Sequence, residues 1–181
     1  MKAKFNHPLM HDNFTKNDFK VLTKFLTKNP VLTQSKLVSQ FEKNWSKWLG
    51  VKYSVFVNSG SSANLLTMTI LKMIYGSGEI IVPALTWVSD ITSVIQNNFK
   101  PVFVDIDLKN LSMQESQIIR KINKNTRAIF ITHAQGFNGL TQNLINHLKK
   151  KKIDLIEDVC ESHGATFKNK KLGSFGRISN F

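Results

Sequence analysis

From residue 53 onward, short apolar runs alternate with segments of helical periodicity, and this alternation constrains the fold more than any other feature. The apolar runs predict strands over 53–58, 79–83, 101–105, 127–132 and 153–157, with another beginning at 178. Helices are predicted over 62–75, 89–97, 113–122 and 140–149. Continuous apolar strands joined by helices are typical of a parallel sheet that is buried on both faces. The expected fold class is α/β, a three-layer sandwich with a mostly parallel sheet.

Two amphipathic helices are predicted before this alternation. The first follows a capping box at 15–18, with Asp18 in place of the usual Glu, and runs through about residue 28. The second covers 35–49, and Gly50 after it is a favourable C-terminal cap. Its large apolar residues recur at helical spacing, and we assign them to packing rather than to a ligand site: Leu37, Phe41, Trp45 and Trp48.

The composition limits the classes of protein to which this chain can belong. Hydrophobic residues make up 41% of the 181, as is usual for a globular domain. No apolar run reaches the roughly 18 to 20 residues of a membrane span, so we expect no membrane association. The formal charge is +13, but the basic residues are scattered lysines with three arginines, Arg120, Arg127 and Arg177. Since arginine is favoured for phosphate and base recognition, we expect no nucleic-acid partner.

The N-terminus and the cysteine count predict a cytoplasmic location. Residues 1–12 contain no apolar segment of the kind found in signal peptides. The single cysteine, Cys160, excludes an internal disulfide framework and fits a reducing compartment. We expect Cys160 to be a small, buried packing residue.

The strand predicted over 53–58 runs into the turn Ser59-Gly60-Ser61-Ser62, and a helix begins at once. Such a junction gathers free backbone N–H groups and the positive end of a helix dipole, which suits a phosphate group. The serine hydroxyls would add donors, and Gly60 allows close backbone approach. The turn lacks the further glycines of a dinucleotide fingerprint and the Gly-Lys-Ser/Thr of a P-loop. The simpler alternative is a tight turn with a good N-cap.

Two more candidate residues follow predicted strands. Trp87 lies between the strand 79–83 and a helix whose predicted N-cap is Ser89; it either closes the core or offers a flat surface to a planar cofactor ring. Asp158 follows an apolar strand, where a carboxylate needs a partner such as a helix N-terminus, a salt bridge or a protonated pyridine nitrogen. Because the carboxyl ends of parallel strands meet at one edge, these residues are expected to gather there with the serine turn.

Other polar residues give weaker signals. His133 and His163 have no metal-ligand spacing around them, so we interpret them as satisfied polar histidines. Asp105 and Asp107 could form a metal pair, but turn formation at a strand end is the favoured interpretation. No metal site is predicted.

In this order, the serine turn, the tryptophan and the aspartate resemble the DegT/DnrJ/EryC1/StrS sugar aminotransferases, a family of fold-type I pyridoxal-phosphate enzymes. The resemblance extends over essentially the whole chain and rests on the segments 57–63, 80–87, 101–107, 157–165 and 173–176. It implies that 1–181 is part of the family's large domain. Residues 1–50 would form its N-terminal helices, and 51–181 its cofactor-binding α/β part.

By position in these motifs, the resemblance implies roles for six residues toward pyridoxal 5'-phosphate. The phosphate would be held by Gly60, Ser61 and Ser62. Trp87 would stack on the pyridine ring, and Asp158 would bind the ring nitrogen. Glu161 stands where many members have Gln or His near the phenolic oxygen of the cofactor, so a carboxylate there departs from the family pattern.

The family's cofactor-bound lysine follows the strand that begins at Ile178, and a 3-dehydratase subgroup has histidine there. Since the sequence stops at Phe181, the resemblance implies that this residue, the rest of the large domain and the C-terminal small domain lie outside it. No catalytic residue is therefore assigned. The expectation is an N-terminal fragment of a longer enzyme, or a truncated remnant.

The activity that the resemblance implies is amino transfer from glutamate or glutamine to a nucleotide-linked keto-sugar, in polysaccharide, lipopolysaccharide or deoxysugar biosynthesis. The first alternative is 3-dehydration of a 4-keto-6-deoxy sugar nucleotide with the same cofactor, because the pattern over 157–162 is closer to the dehydratase subgroup. The second is a noncatalytic remnant that binds ligand or another subunit. Family members are usually homodimers, and a homodimer is expected of the full-length form.

Overall fold

A computed structural model describes residues 12–181, so the signal-peptide expectation for the N-terminus falls almost wholly outside the described residues. The chain divides into two compact units, Met1–Gln40 and Phe41–Phe181. The first unit contains helix α1 (Lys16–Leu26), and helix α2 (Lys36–Leu49) begins in it. The capping box is confirmed, since the backbone N–H of Thr15 donates to Asp18 Oδ2 at 2.7 Å and the Asp18 N–H donates to Thr15 Oγ1 at 3.3 Å.

The packing role predicted for the α2 side chains is wrong for three of them. Leu37, Phe41 and Trp48 are each more than one-third exposed, so they are not core residues. Trp45 is partly buried, with its ring centroid 5.1 Å from that of Phe181. The helix ends as predicted, with Gly50 at a φ of 83°.

The second unit follows the predicted alternation of helices and strands. In chain order its elements are α3 (Gly60–Tyr75), β1 (Glu79–Pro83), α4 (Val88–Gln96), β2 (Lys100–Val104), β3 (Ile106–Asp107), β4 (Ser112–Met113), α5 (Glu115–Lys121), β5 (Thr126–Thr132), α6 (Gln142–Lys151), β6 (Asp154–Asp158), β7 (Thr166–Phe167), β8 (Lys170–Lys171) and β9 (Ile178–Asn180). The bounds of the elements that were predicted and observed agree within two residues. None of the helices in residues 12–181 combines the length and apolar content that a membrane span requires.

Five strands form one parallel sheet in the order β2-β1-β5-β6-β9. Alternate residues of β1 and β5 enter separate cores. Ile80, Val82 and Phe130 pack with α3 and α4 in one core. Ile81, Ile129 and Ile131 belong to a second core with residues of α5 and α6. This three-layer α/β arrangement confirms the predicted fold class.

The chain order reverses between β1 and β5, which are neighbours in the sheet. From β1 the chain passes through α4 to β2 on one side, and it then crosses back to β5 on the other. In parallel sheets, a crevice forms at the carboxyl ends of the strands where the order reverses, and ligands bind there. The loops after Pro83 and Thr132 flank this position.

The strand predicted over 53–58 is wrong. The segment has no strand hydrogen bonds within residues 12–181, and Tyr53 and Val55 are about three-quarters exposed. A strand exists only by hydrogen bonding to a neighbour, and no described segment supplies one. The backbone N–H of Phe56 instead donates to Glu42 Oε1 at 2.9 Å.

Candidate functional site

The serine turn forms the N-terminus of α3, as predicted. Ser59 is the N-cap, and its Oγ accepts a hydrogen bond from the Ser62 N–H at 3.1 Å. Gly60 and Ser61 are exposed in the first turn, where helical N–H groups have no intrahelical acceptor. A Cβ at Gly60 would meet no atom within 4 Å, so the fold itself leaves open space beside this glycine. A 16-residue helix thus presents a small, polar, open N-terminus that can receive an anion.

Trp87 is exposed at the start of α4. It occupies the N-cap position itself, and its carbonyl accepts the Asp90 N–H at 3.0 Å. The prediction that Ser89 caps this helix is wrong, because α4 begins at Val88 and Ser89 is buried inside its first turn. With 65% of its surface exposed, Trp87 does not close the core. It is a free aromatic surface next to the carboxyl end of β1.

Asp158 is the last residue of β6 and is only 4% exposed. It lies between Thr132 of β5 and Asn180 of β9 in the sheet register. Its Oδ1 accepts the Cys160 N–H at 3.0 Å, and no lysine or arginine of residues 12–181 forms an ion pair with it. A nearly buried carboxylate without a cationic partner suits a cationic ligand atom.

Directly behind this edge lies a buried carboxyl that sequence reasoning missed, that of Asp90 in α4. It is fully buried and accepts a hydrogen bond from Asn64 Nδ2 at 2.6 Å. Its Oδ2 is bonded by the hydroxyls of Thr86 and Thr132. Burial, and then the negative charge of Asp158, raise the pKa of Asp90 to about 7.

The same network continues to β9. Asn180 donates from Nδ2 to Asn64 Oδ1 at 2.7 Å, and Thr67 donates to Asn180 Oδ1 at 2.9 Å. Asn64 lies one turn after Gly60, so the start of α3 is tied through these amides to the strand ends that carry Asp158. The only sequence signal for the network was the four-residue spacing of Thr86 and Asp90 at a helix start, which is common in ordinary helix caps.

A second buried pair joins the residue just after β5 to β6. His133 Nε2 is 3.2 Å from Glu157 Oε2, and both side chains are fully buried. His133 Nδ1 accepts the Gly139 N–H at 3.1 Å, so the ring proton is on Nε2 and is donated to Glu157. The carboxylate also accepts three N–H groups, from Gly173 at 2.8 Å, Phe175 at 2.9 Å and Gly176 at 2.6 Å. His133 is a satisfied polar histidine, as predicted.

Glu161 lies on the surface and contacts the loop after β5. Its Oε2 accepts the Gln135 N–H at 2.7 Å and the Gln135 Nε2 at 3.2 Å. Gln135 has a φ of 55°, so this carboxylate stabilises a left-handed backbone conformation. The neighbouring Cys160 is exposed, and its predicted burial is wrong because in the turn after β6 the side chain of Val159, not that of Cys160, enters the core.

The remaining polar residues do not join the cluster. Asp105 and Asp107 form turns, with Oδ1 of each accepting a nearby backbone N–H, which confirms the favoured interpretation. His163 is exposed beside the rings of Trp45 and Phe181, with centroids 5.6 Å and 5.4 Å away. Within residues 12–181, no group of three or more metal-binding side chains is present.

Known proteins are similar to this chain in sequence and in fold. A GDP-perosamine synthase from Vibrio cholerae is 31% identical over 96% of this chain and 47% of its own length. A GDP-4-keto-6-deoxy-D-mannose 3-dehydratase from Escherichia coli O55:H7 is 32% identical over 97% of this chain and 46% of its own. The chain therefore spans about half the length of the curated relatives it matches.

Among solved structures, an E. coli GDP-4-keto-6-deoxy-D-mannose-3-dehydratase with bound hydrated PLP superposes with a TM-score of 0.87. It is 33% identical, and the match covers 96% of this chain and 46% of that one. The model of the DegT/DnrJ/EryC1/StrS aminotransferase family matches residues 12–181. This chain belongs to the DegT/DnrJ/EryC1/StrS aminotransferase family.

Proposed function

We propose that this chain forms the pyridoxal 5'-phosphate site of an enzyme that acts on a nucleotide-linked keto-sugar. The observation that carries the proposal is Asp158, a carboxylate that is only 4% exposed and lacks a cationic partner among the described residues. Burying such a charge is costly unless a ligand neutralises it. A protonated pyridine nitrogen supplies the missing positive charge, and the charge pair keeps that proton in place.

The other residues proposed for the cofactor fit its remaining groups. A phosphate would be bound at the N-terminus of α3 by Gly60, Ser61 and Ser62, and the open space at Gly60 allows its oxygens to approach the backbone. The exposed indole of Trp87 would stack on the ring. When bound, pyridoxal phosphate supplies an electron sink, and the protein contributes orientation and charge.

Glu161 has a different role in this proposal. Its carboxylate is already engaged by the N–H and the side-chain amide of Gln135. It would therefore act on the cofactor site by holding the conformation of the loop after β5. We propose that Glu161 contacts the cofactor site through Gln135.

The reaction we propose is amino transfer to the keto-sugar, with glutamate or glutamine as donor. The similarity to GDP-perosamine synthase supports it. The second candidate is 3-dehydration of a 4-keto-6-deoxy sugar nucleotide. The similarity to two GDP-4-keto-6-deoxy-D-mannose 3-dehydratases supports this alternative, together with the Glu-Asp-Val-Cys-Glu-Ser pattern over 157–162.

A homodimer is proposed for the enzyme because α3 carries exposed aliphatic side chains on one side. Leu66, Ile70 and Ile74 are each more than 40% exposed. Apolar surface of this kind marks an interaction site. Sedimentation equilibrium measures the mass directly, and a monomer at micromolar concentration contradicts the proposal.

The exposed thiol of Cys160 suits a reducing cytoplasm, which is the proposed location.

The reaction is tested on the protein expressed from its complete reading frame. It is given pyridoxal phosphate, glutamate and GDP-4-keto-6-deoxymannose, and the nucleotide-sugar product is identified by mass spectrometry. An amino sugar supports amino transfer, whereas a 3-deoxy sugar supports dehydration. Binding without either product supports a noncatalytic role, and the absence of saturable cofactor binding contradicts the whole proposal.

A further inference from the structure

The three oxygen atoms of Thr86, Thr132 and Asp90 form a closed triangle at the carboxyl ends of β1 and β5. The two hydroxyl oxygens are 2.6 Å apart, and Thr132 Oγ1 is 3.0 Å from Asp90 Oδ2. Thr86 Oγ1 contacts the same Oδ2. Three hydrogen bonds need three protons, but two threonine hydroxyls carry only two. A proton on the Asp90 carboxyl completes the triangle.

The surroundings of Asp90 also favour the neutral acid. The side chain is fully buried, and residues 12–181 place no lysine or arginine in hydrogen-bonding contact with it. The titratable groups that face it are Asp158 at the end of β6 and Cys160 just after it. From α3 it receives only the neutral amide of Asn64. Two adjacent buried carboxyls without a cation cannot both ionise, so one keeps its proton.

We infer that Asp90 is a protonated positioning residue, which ties the start of α3 to the ends of β1 and β5 beside Asp158, the carboxyl of the proposed cofactor site. This inference rests on the proposed function for the role of Asp158. Asp90 has three partners on different elements, namely Asn64 on α3, Thr86 after β1 and Thr132 on β5. Thr132 is in turn the register neighbour of Asp158.

The protonation of Asp90 is tested without any cofactor. Carboxyl carbons of aspartate are labelled with ¹³C, and their NMR shifts are followed against pH, with the Asp90 signal assigned by its absence from D90N. We expect a midpoint more than about two pH units above that of an ordinary aspartate. In D158N the midpoint should fall, because a neighbouring negative charge has been removed. D105N alters an exposed carboxylate at a turn and should leave the midpoint unchanged. An ordinary midpoint for Asp90, or one that is insensitive to D158N, overturns the inference.

The positioning role is tested by comparing D90N with D90A in the binding of pyridoxal phosphate near neutral pH. Asparagine is neutral, nearly isosteric with the protonated acid and able to bond Asn64 and the threonines, so D90N should keep the dissociation constant within about threefold. Alanine removes the network, and D90A should weaken binding about tenfold or more. If D90N and D90A lose affinity to the same extent, the ionised carboxylate is required. If both bind the cofactor with the affinity of the wild type, Asp90 has no positioning role.

Failures of the two proposals are distinguishable. The carbon titration involves no cofactor, so it can succeed even when pyridoxal phosphate does not bind. If neither the wild type nor any variant binds the cofactor, the proposed function fails. The protonation of Asp90 is then decided by the titration midpoint alone. If D90A does not fold, Thr132→Val replaces it, because valine removes one hydroxyl from the triangle at nearly constant volume. T132V should then lower the cofactor affinity more than D90N does, and an affinity equal to that of D90N overturns the positioning role.

Discussion

The hydroxyl oxygens of Thr86 and Thr132 lie 2.6 Å apart and join the loop after β1 to the end of β5. These two strands flank the point where the chain order of the sheet reverses. The contact therefore fixes the spacing of β1 and β5 at the entrance of the crevice, with Trp87 following β1 and Asp158 at the end of β6, next to β5. Because this contact is made by two side chains, a single substitution at Thr86 or Thr132 can change the spacing.

Replacement of Asp158 by asparagine is predicted to weaken the binding of pyridoxal phosphate about tenfold to a hundredfold. Asparagine keeps the shape but removes the charge that would pair with the pyridine nitrogen, and a hydrogen bond to a charged group contributes roughly 1.5–3 kcal/mol. The dissociation constant is measured by the quenching of tryptophan fluorescence or by equilibrium dialysis. D105N is the matched control, since Asp105 is exposed and bonds to the Ile106 N–H. Equal affinity for D158N and D105N would remove Asp158 from the site.

Substitution of Ser61 by aspartate should change stability and cofactor binding in opposite directions. A negative charge in the first turn of α3 interacts favourably with the helix dipole, by roughly 0.3–1 kcal/mol. The same charge would repel a phosphate bound there, so the affinity for pyridoxal phosphate should fall about tenfold or more. S61N is the neutral control, with the unfolding free energy taken from urea titration and the affinity from fluorescence. If S61D binds the cofactor as well as S61N, the phosphate does not lie at this turn.

The sheet was predictable from sequence because its strands are buried on both faces. Such strands are mostly apolar, and the apolar runs within β1, β5 and β6 are clear in the sequence. The segment 53–58 has the same composition but no neighbour within residues 12–181, and composition does not reveal whether a hydrogen-bonding partner exists.

The candidate site was predictable only where a residue type is unusual for its position. The serine turn and the carboxylate of Asp158 interrupt apolar patterns and could be identified. Asp90 could not, because an acidic residue in the first turn of a helix is ordinary and nothing in the local sequence shows that Asn64 and Thr132 surround it. Contacts between residues 26 and 42 positions apart are set by the sheet topology.

Replacement of Glu157 by glutamine is predicted to destabilise the fold by about 2 kcal/mol or more. Oε1 accepts the N–H groups of Phe175 and Gly176, and Oε2 accepts those of Gly173 and the His133 ring. Glutamine replaces one of these oxygens by an amide nitrogen, which cannot accept a hydrogen bond, so two of the four donors lose their acceptor. The unfolding free energy from urea titration measures the effect. Glu115→Gln serves as control because that carboxylate is bonded by the side chains of Thr141 and Asn143 near the surface. If E157Q lowers the unfolding free energy no more than E115Q does, the conformation of the loop 173–176 does not depend on this carboxylate.

The contribution of Asp90 to the unfolding free energy should fall as the pH rises from about 4 to about 7. In the folded protein the pKa of Asp90 is raised to about 7, chiefly by burial, whereas the unfolded chain has the ordinary value of 3.8. Between these values the folded state holds a proton that the unfolded state has lost, so unfolding becomes more favourable with each increase in pH. Above about pH 7 the contribution is complete and the curve flattens.

The comparison with D90N isolates this contribution. Asparagine does not titrate, so the difference in unfolding free energy between wild type and D90N should change by about 1 to 4 kcal/mol over the same range, with wild type relatively more stable at the acidic end. Urea titrations at several pH values give the two curves, and D105N reports the effect of removing an exposed carboxylate. A wild-type minus D90N difference that does not vary with pH would mean that Asp90 has the same pKa in the folded and unfolded chains. A difference that varies in the opposite direction would mean that Asp90 is ionised in the folded protein, and the hydroxyls of Thr86 and Thr132 would then both donate to it.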